Sequence, residues 1–248
     1  MPDSFTFTPI GVLRSPYRDK FAVPRQPGLV PAGVGELLLL GECNREEILR
    51  GLDGFSHLWL TFVFDRVLDQ GWTPTVRPPR LGGNRRLGVF ATRSPFRPNP
   101  IGLSVVSLAG IENRDGQWLL RLGGIDLVDG TPVLDIKPYV PWVDAIADAR
   151  GGFADLPPAQ PVSVSFTDAC REQLALLAES YPALEELILQ VIAQRPQPAY
   201  HAGGDGARSY GMALYDFNIR WRVSGRDCQV IAIEPLPPCH GQGLGSLA

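Results

Sequence analysis

Several features that define familiar protein classes are absent from this sequence of 248 residues. The four cysteines include no C-x-x-C pair and the three histidines share no close spacing, so we expect no metal site. No apolar run approaches the roughly 20 residues that a membrane helix needs. The first residues lack a basic segment followed by an apolar one, so no signal peptide is expected. These absences predict a soluble, cytoplasmic protein without a bound metal.

Lysine is also scarce, since Lys20 and Lys137 are the only two in the chain. The phosphate-binding motif G-x-x-x-x-G-K is therefore missing, as is the zinc motif H-E-x-x-H. A G-x-G-x-G string at 241–245 follows a proline-rich segment instead of a strand, so it does not predict a nucleotide-binding turn. The net charge of −3 argues against a general coat for nucleic acid but does not exclude a local basic patch.

The pattern of short apolar segments predicts a mainly β fold. With 44% hydrophobic residues, a chain of this length can bury a sizeable core. Gly and Pro clusters separate the candidate strands, which are 5–12, 35–40, 58–64, 87–91, 103–108, 118–122 and 133–137. Only 44–52 has the pattern of a helix in this part of the chain. Many short strands with turn residues between them predict that residues 1–150 form a β-barrel.

A smaller α+β domain is expected at 162–234, after a linker at 151–161 that is interrupted by Gly-Gly and Pro-Pro pairs. Thr167 is a candidate cap for one helix, and Pro182 suits the first position of a second. Two strands, at 212–223 and 229–234, complete the domain. The tail at 235–248, rich in Pro, Gly and Ser, is expected to be flexible.

The stretch 72–111 contains six arginines and no acidic residue: Arg77, Arg80, Arg85, Arg86, Arg93 and Arg97. Guanidinium groups suit phosphate and carboxylate ligands, because two parallel N–H groups match two oxygens. Prolines surround Arg97 and Asn99, so this loop has little conformational freedom to lose on binding. The arginines could instead pair with acids of the 126–155 region. For the segment as a whole, we favour an anionic ligand.

A second group of polar residues runs from Asp126 to Tyr139. Asp129 and the glycine after it form a strong turn signal, which a plain hairpin would explain. Asp135 and Lys137 are two positions apart on a predicted strand and therefore face the same side. They could be an exposed ion pair or the polar lining of a pocket.

Four long motifs resemble the TsaA-like, or TrmO, family of tRNA methyltransferases. They are FAVPRQPG at 21–28, GFSHLW at 54–59, GVFATRSPFRPNPIG at 88–102 and DLVDGTPVLDIKPY at 126–139. PQPAY at 196–200 and DFNIRW at 216–221 are similar to the C-terminal part of bacterial members. The resemblance implies a dimeric enzyme whose methyl-donor site lies in a β-barrel instead of a Rossmann sheet. It also implies methyl transfer from S-adenosylmethionine to N6 of N6-threonylcarbamoyladenosine at position 37 of tRNA, beside the anticodon.

The same resemblance implies a set of cofactor contacts. These are Pro24, Arg25, Gln26, Asp65, Arg66, Arg93, Leu103, Asp126, Leu127, Val128 and Asp129. The threonyl carboxylate and the phosphates of the substrate suit the basic residues, so we assign it to Arg85, Arg86, Arg97, Lys137 and Tyr139. N6 must also lose a proton during methyl transfer, and Asp135 and Asn99 are the candidates for accepting or orienting it.

Two other classes of function compete with this interpretation. A non-catalytic nucleotide-binding or RNA-binding barrel would use the same arginines without chemistry. A metal-dependent hydrolase is disfavoured because the sequence lacks clustered ligands. Methyl transfer to the modified nucleoside separates the enzyme from the binding module.

Overall fold

The computed structural model describes residues 4–155, 162–196, 208–225 and 227–237. Within these ranges the strands are β1 Gly11–Arg14, β2 Val34–Leu39, β3 His57–Val63, β4 Thr75–Val76, β5 Leu87–Gly88, β6 Ile101–Arg114, β7 Gln117–Gly123, β8 Pro132–Pro138, β9 Ser163–Phe166, β10 Arg208–Leu214, β11 Phe217–Ser224 and β12 Asp227–Pro235. The α-helices in the same ranges are α1 Pro141–Asp144, α2 Asp168–Leu177 and α3 Leu184–Ala193. The expected mainly β character with some helices is confirmed.

Six strands pair in the order β1-β2-β7-β6-β3-β8, and β8 pairs again with β1, so the sheet closes as a barrel. Alternation along each strand fills the barrel with side chains, because every second residue points inward. In β3 the buried residues are Leu58, Leu60 and Phe62, while Trp59 and Thr61 lie on the outer surface. The sequence predicted these strands within a few residues, with two exceptions. The first ladder begins at Gly11 and leaves Phe5 and Phe7 exposed, and β6 continues six residues beyond the predicted end at 108.

Residues 65–100 connect β3 to β6 and are called the arginine lobe below. The lobe consists of 3-10 turns and the two-residue hairpin formed by β4 and β5. The predicted strand at 87–91 is therefore wrong beyond Gly88, because Val89–Ala91 is a 3-10 turn. The predicted helix at 44–52 is also wrong. The chain forms 3-10 turns at Glu46–Leu49 and Leu52–Gly54, separated by Gly51 in the left-handed region at φ 83°.

The C-terminal part of the chain has a sheet in the order β10-β11-β12-β9, with β9 parallel to β12. Thr167 caps α2 as predicted, since its hydroxyl accepts a hydrogen bond from the Cys170 amide. The prediction that Pro182 takes the first position of the second helix is wrong, since Pro182 lies in a turn and the helix begins at Leu184. The single strand expected at 212–223 is a hairpin, with Tyr215 at φ 49° in its turn.

The two sheets meet where Tyr17 forms a β-bridge with Leu214. The domain division at 151–161 stays a prediction, because 156–161 lie outside the described residues, as do 197–200 of the PQPAY motif and 238–248 of the expected tail. The start of that tail is not loose, since β12 continues to Pro235. Among the described helices, none has the length and apolarity needed to cross a membrane.

Candidate functional site

The loop around Gln26 contacts two distant segments of the chain. Arg93 of the arginine lobe donates from Nη1 to Gln26 Oε1 at 2.6 Å. The Gly28 amide donates to the Gly124 carbonyl at 2.8 Å, which seats this loop beside the Asp126 turn. Within the loop Pro24 is buried, while Arg25 and Gln26 are exposed. The structure therefore joins two of the predicted cofactor residues, Gln26 and Arg93, directly and places their loop next to the segment that leads into Asp126.

Asp126 is a half-buried charge of this region. The Ser104 hydroxyl donates to its Oδ1 at 2.6 Å. Burial raises the pKa of Asp126 from 3.8 to about 6, and the Ser104 hydrogen bond and the positive charge of Arg93 oppose that shift. Sequence analysis missed Ser104, although a polar residue at an inward position of an apolar strand is a signal that could have found it.

Both carboxylate oxygens of Asp129 accept hydrogen bonds from other residues of the protein. Oδ1 accepts from the Ser15 amide at 2.9 Å, and Oδ2 accepts from Arg18 Nη1 at 2.8 Å. Arg66 donates to the Asp129 carbonyl at 2.8 Å and to the Arg18 carbonyl at 2.9 Å. The side chains of Asp129 and Arg66 thus shape the turn, whereas Asp65 is exposed at the start of a 3-10 helix.

Arg18 and Asp19 connect this region to the C-terminal sheet. Arg18 Nη2 donates to Asp216 Oδ1 at 3.0 Å. Asp19 Oδ2 accepts from the Ala213 amide at 2.9 Å, while its Oδ1 accepts from the Phe21 amide at 2.7 Å. Sequence analysis missed both residues, because their partners lie about 200 positions away and no local pattern marks them.

Leu103 and Ser104 point to opposite sides of β6. Ser104 faces the barrel interior, while Leu103 lies on the outer surface with 54% of its area exposed. Strand register places Leu103 opposite Thr61, and Thr61 opposite Asp135. Leu103 and Asp135 therefore share the outer barrel face, separated by one strand. Leu127 is fully buried, and the Val128 carbonyl accepts from the Thr131 hydroxyl at 2.6 Å.

Asp135 and Lys137 form an ion pair on the outer surface, and both side chains are substantially exposed. The next outward residue, Tyr139, lies with its ring centroid 5.9 Å from that of Trp59. Asn99 is exposed just before β6, and no hydrogen bond among the described residues joins it to Asp135. The structure places Asp135 and Lys137 on the outer face of β8 and Tyr139 directly after that strand, while no hydrogen bond or ion pair among the described residues joins Asn99 to them.

Two arginines of the lobe donate to neutral acceptors. Arg97 Nη1 donates to the Thr92 carbonyl at 2.9 Å, and Arg86 Nη1 donates to the Thr75 hydroxyl at 3.1 Å. In the described part of the chain, Arg85, Arg86 and Arg97 form no ion pair. Their charges are therefore not neutralised by the acids of the 126–155 region. The described ranges also contain no cluster of His, Cys, Asp and Glu that could hold a metal ion.

These features define a class of protein: a β-barrel that combines a half-buried carboxylate site with a basic surface lobe, with no parallel Rossmann sheet in the described ranges. The chain belongs to the TrmO family, whose models match it twice in succession. Residues 12–145 match the tRNA-methyltransferase O N-terminal domain, and 159–236 match the TrmO C-terminal domain.

Known relatives cover nearly the whole chain. The tRNA (adenine(37)-N6)-methyltransferase of Escherichia coli is 53% identical over 232 residues, which are 94% of this chain and 99% of that protein. A Pseudomonas aeruginosa protein, RcsF, provisionally named an S-adenosylmethionine-dependent methyltransferase, is 50% identical over 89% of this chain and 93% of its own. The crystal structure of TrmO from Pseudomonas aeruginosa has a TM-score of 0.77 at 42% identity, covering 93% of this chain and 98% of that one.

Proposed function

We propose that this protein transfers a methyl group from S-adenosylmethionine to N6 of adenosine 37 in tRNA. The observation that carries the proposal is the set of direct hydrogen bonds that joins distant segments around Asp126. Gln26 bonds to Arg93, the Gly28 amide bonds to Gly124, and Ser104 bonds to Asp126 itself. The names of the Escherichia coli and Pseudomonas aeruginosa relatives support the reaction and the methyl donor.

The residues of this region fit the chemical groups of S-adenosylmethionine. Arg93 and Arg25 are exposed guanidinium groups that suit its carboxylate. Asp126 is a half-buried carboxylate that suits its positively charged amino and sulfonium groups. When bound, the cofactor supplies a methyl group activated by a positively charged sulfur. The protein contributes alignment, because Pro24 is buried and Gln26 is anchored to Arg93, so the loop is held before binding.

We infer that the target adenosine carries the N6-threonylcarbamoyl group. Its threonyl carboxylate adds a negative charge beside the reacting nitrogen, and the arginine lobe offers Arg85, Arg86 and Arg97 without neutralising acids. Lys137 and Tyr139 lie on the neighbouring outer face of β8, where they would contact the same substrate. With an unmodified adenosine, these arginines would have only the phosphates of the tRNA as anionic partners.

The reaction would break the S–CH3 bond of the donor, with the electron pair left on sulfur, and form an N6–CH3 bond. The N6–H bond also breaks, so one proton must leave. Asp135 is the candidate acceptor because its carboxylate is exposed on the face that also carries Leu103. Asn99 is assigned an orienting role at the entrance to β6, since its amide is exposed and uncharged. Lys137 keeps the Asp135 carboxylate in place through their ion pair.

We further propose that the protein acts as a homodimer in the cytoplasm. Large apolar side chains are exposed on the outer barrel face and on the adjoining α1 segment. They are Ile101, Leu103, Trp142, Val143 and Ile146. Burial of such a surface against a second copy would remove this apolar area from water.

Mass spectrometry of nucleosides tests the proposed function. Purified protein is incubated with S-adenosylmethionine and with tRNA that either carries or lacks the threonylcarbamoyl group. We expect one added methyl group on the modified nucleoside only. The alternative, a non-catalytic RNA-binding barrel, predicts tRNA binding without any methylated product.

A further inference from the structure

Phe90 is held in solvent by a rigid turn. Its ring is 78% exposed, although Val89 beside it is buried. The Val89 amide donates to the Pro74 carbonyl at 3.0 Å, and the Thr92 hydroxyl donates to the Val89 carbonyl at 2.8 Å. The backbone therefore fixes the ring in an exposed position, where its apolar surface is unfavourable in the absence of a ligand.

Arg97 lies beside this ring. Its Cζ is 6.0 Å from the ring centroid of Phe90, within the range of a cation–π contact. Nη1 is anchored to the Thr92 carbonyl at 2.9 Å, so the guanidinium is fixed by the same turn. Because Arg97 forms no ion pair in the described chain, its charge is available to a ligand that reaches the ring.

The surroundings of Phe90 indicate what kind of ligand fits. A second exposed aromatic residue, Trp72, belongs to the same lobe, and its neighbour Thr73 is tied to the Phe96 carbonyl at 3.3 Å. No acidic residue occurs between Trp72 and Ile111. An aromatic face beside fixed guanidinium groups matches an unpaired nucleobase with its phosphates, because bases stack on aromatic rings while arginines bind the backbone.

We propose that Phe90 is a stacking platform for an unpaired base of the tRNA loop that neighbours the target adenosine. In this arrangement Arg97 keeps its cation–π contact with the ring, and the Arg86 guanidinium binds the phosphate next to the stacked base. This inference rests on the proposed tRNA methyltransferase function. It adds a contact that is sequence-tolerant, since every base has a face that can stack.

The test compares tRNA affinity in three variants of Phe90. Phe90→Ala should weaken binding about 5- to 150-fold, the range that loss of one base–aromatic stack gives. Phe90→Leu keeps apolar bulk without an aromatic face and should lose most of this affinity, whereas Phe90→Trp should retain it. Phe5→Ala is the matched control, because Phe5 is 75% exposed outside the lobe, and it should bind like the parent.

A salt titration separates stacking from charge. Phe90→Ala should keep the parent's slope of log Kd against log salt, while Arg86→Ala should have a shallower slope because a phosphate contact is lost. Affinity for S-adenosylmethionine, measured by calorimetry, should not change in Phe90→Ala.

Several results would overturn the stacking role. If the parent methylates tRNA and Phe90→Ala binds it as tightly, the proposed function stands and Phe90 is not a platform. Weakened cofactor binding in Phe90→Ala would instead assign the ring to the donor site. Loss of a dimer in that variant would assign it to an interface between copies. If the parent neither binds nor methylates tRNA, both proposals fail.

Discussion

Arg18 lies between two carboxylates from distant parts of the chain, with Nη1 2.8 Å from Asp129 Oδ2 and Nη2 3.0 Å from Asp216 Oδ1. Asp129 ends the turn that begins at Asp126, and Asp216 lies in the turn of the C-terminal hairpin. Arg66 also donates to the Arg18 carbonyl. Arg18 is thus a positioning residue that couples the C-terminal sheet to the proposed cofactor site.

Arg18→Ala should raise the KM for S-adenosylmethionine several-fold and change kcat less, because the Asp126–Asp129 turn loses an anchor worth about 1 kcal/mol. Arg114→Ala is the matched control. Arg114 also bridges two carboxylates, Glu36 and Glu112, each at 2.7 Å. Steady-state kinetics with both substrates varied provide the measurement. Equal effects of the two variants would show that Arg18 contributes only general stability.

Arg93→Ala should weaken binding of S-adenosylmethionine by about 1.5 to 3 kcal/mol, the range for hydrogen bonds to charged groups. The change removes both the anchor of Gln26 and the positive charge near Asp126. Calorimetry measures the affinity, and Arg50→Ala, an exposed arginine outside the lobe, provides the control. Unchanged affinity in a folded Arg93→Ala protein would remove Arg93 from the cofactor site.

The raised pKa of Asp126 predicts how stability depends on pH. The folded state holds the proton up to about pH 6, whereas the unfolded chain releases it near pH 3.8. The protonated group therefore favours folding below about pH 4, and this contribution is lost as the pH rises through about 6. As the pH rises from about 4 to about 6, Asp126→Asn should gain stability relative to the parent. At neutral pH the gain in unfolding free energy should be up to about 3 kcal/mol.

Urea unfolding of the parent and Asp126→Asn at several pH values measures this difference. Asp148→Asn, which alters an exposed carboxylate, should follow the parent throughout. If the difference in unfolding free energy between Asp126→Asn and the parent stayed constant from about pH 4 to neutral pH, a raised pKa of Asp126 would be contradicted.

Asp135→Asn should leave both substrates bound and slow methyl transfer by roughly 10²- to 10⁴-fold, which is typical for loss of a general base. The measurement is the single-turnover rate as a function of pH. A base gives a rate that rises through one ionisation in the parent, and the variant should lose that step. Near-parental rates in the variant would make Asp135 a structural partner of Lys137 only.

Local patterns predicted much of the fold. Alternation identified β3 because its buried residues, Leu58, Leu60 and Phe62, are separated by outward ones. The Thr167 cap was also predictable, since capping depends on a few neighbouring residues. The strand prediction for 87–91 was wrong because an apolar run is also compatible with a turn. In the structure, the Val89 amide donates to the Pro74 carbonyl at the start of a 3-10 turn.

The candidate site was less predictable because it depends on contacts across the chain. No local pattern shows that Arg93 meets Gln26, or that Ser104 meets Asp126. The family resemblance supplied the segments, and the alternating burial along β6 shows that Ser104 points inward and Leu103 outward. The bridging role of Arg18 required the position of the C-terminal hairpin.

The most direct measurement maps the methyl group on the RNA. tRNA carrying the threonylcarbamoyl group is incubated with the protein and S-adenosylmethionine, then cleaved into fragments that are sequenced by mass spectrometry. We predict one methyl group, on N6 of the modified adenosine at position 37, and none on tRNA that lacks the modification. In the Arg93→Ala reaction at limiting cofactor, we predict a smaller methylated fraction at the same position. A methyl group at another nucleotide, or bound tRNA that stays unmethylated under saturating cofactor, would contradict the proposed function.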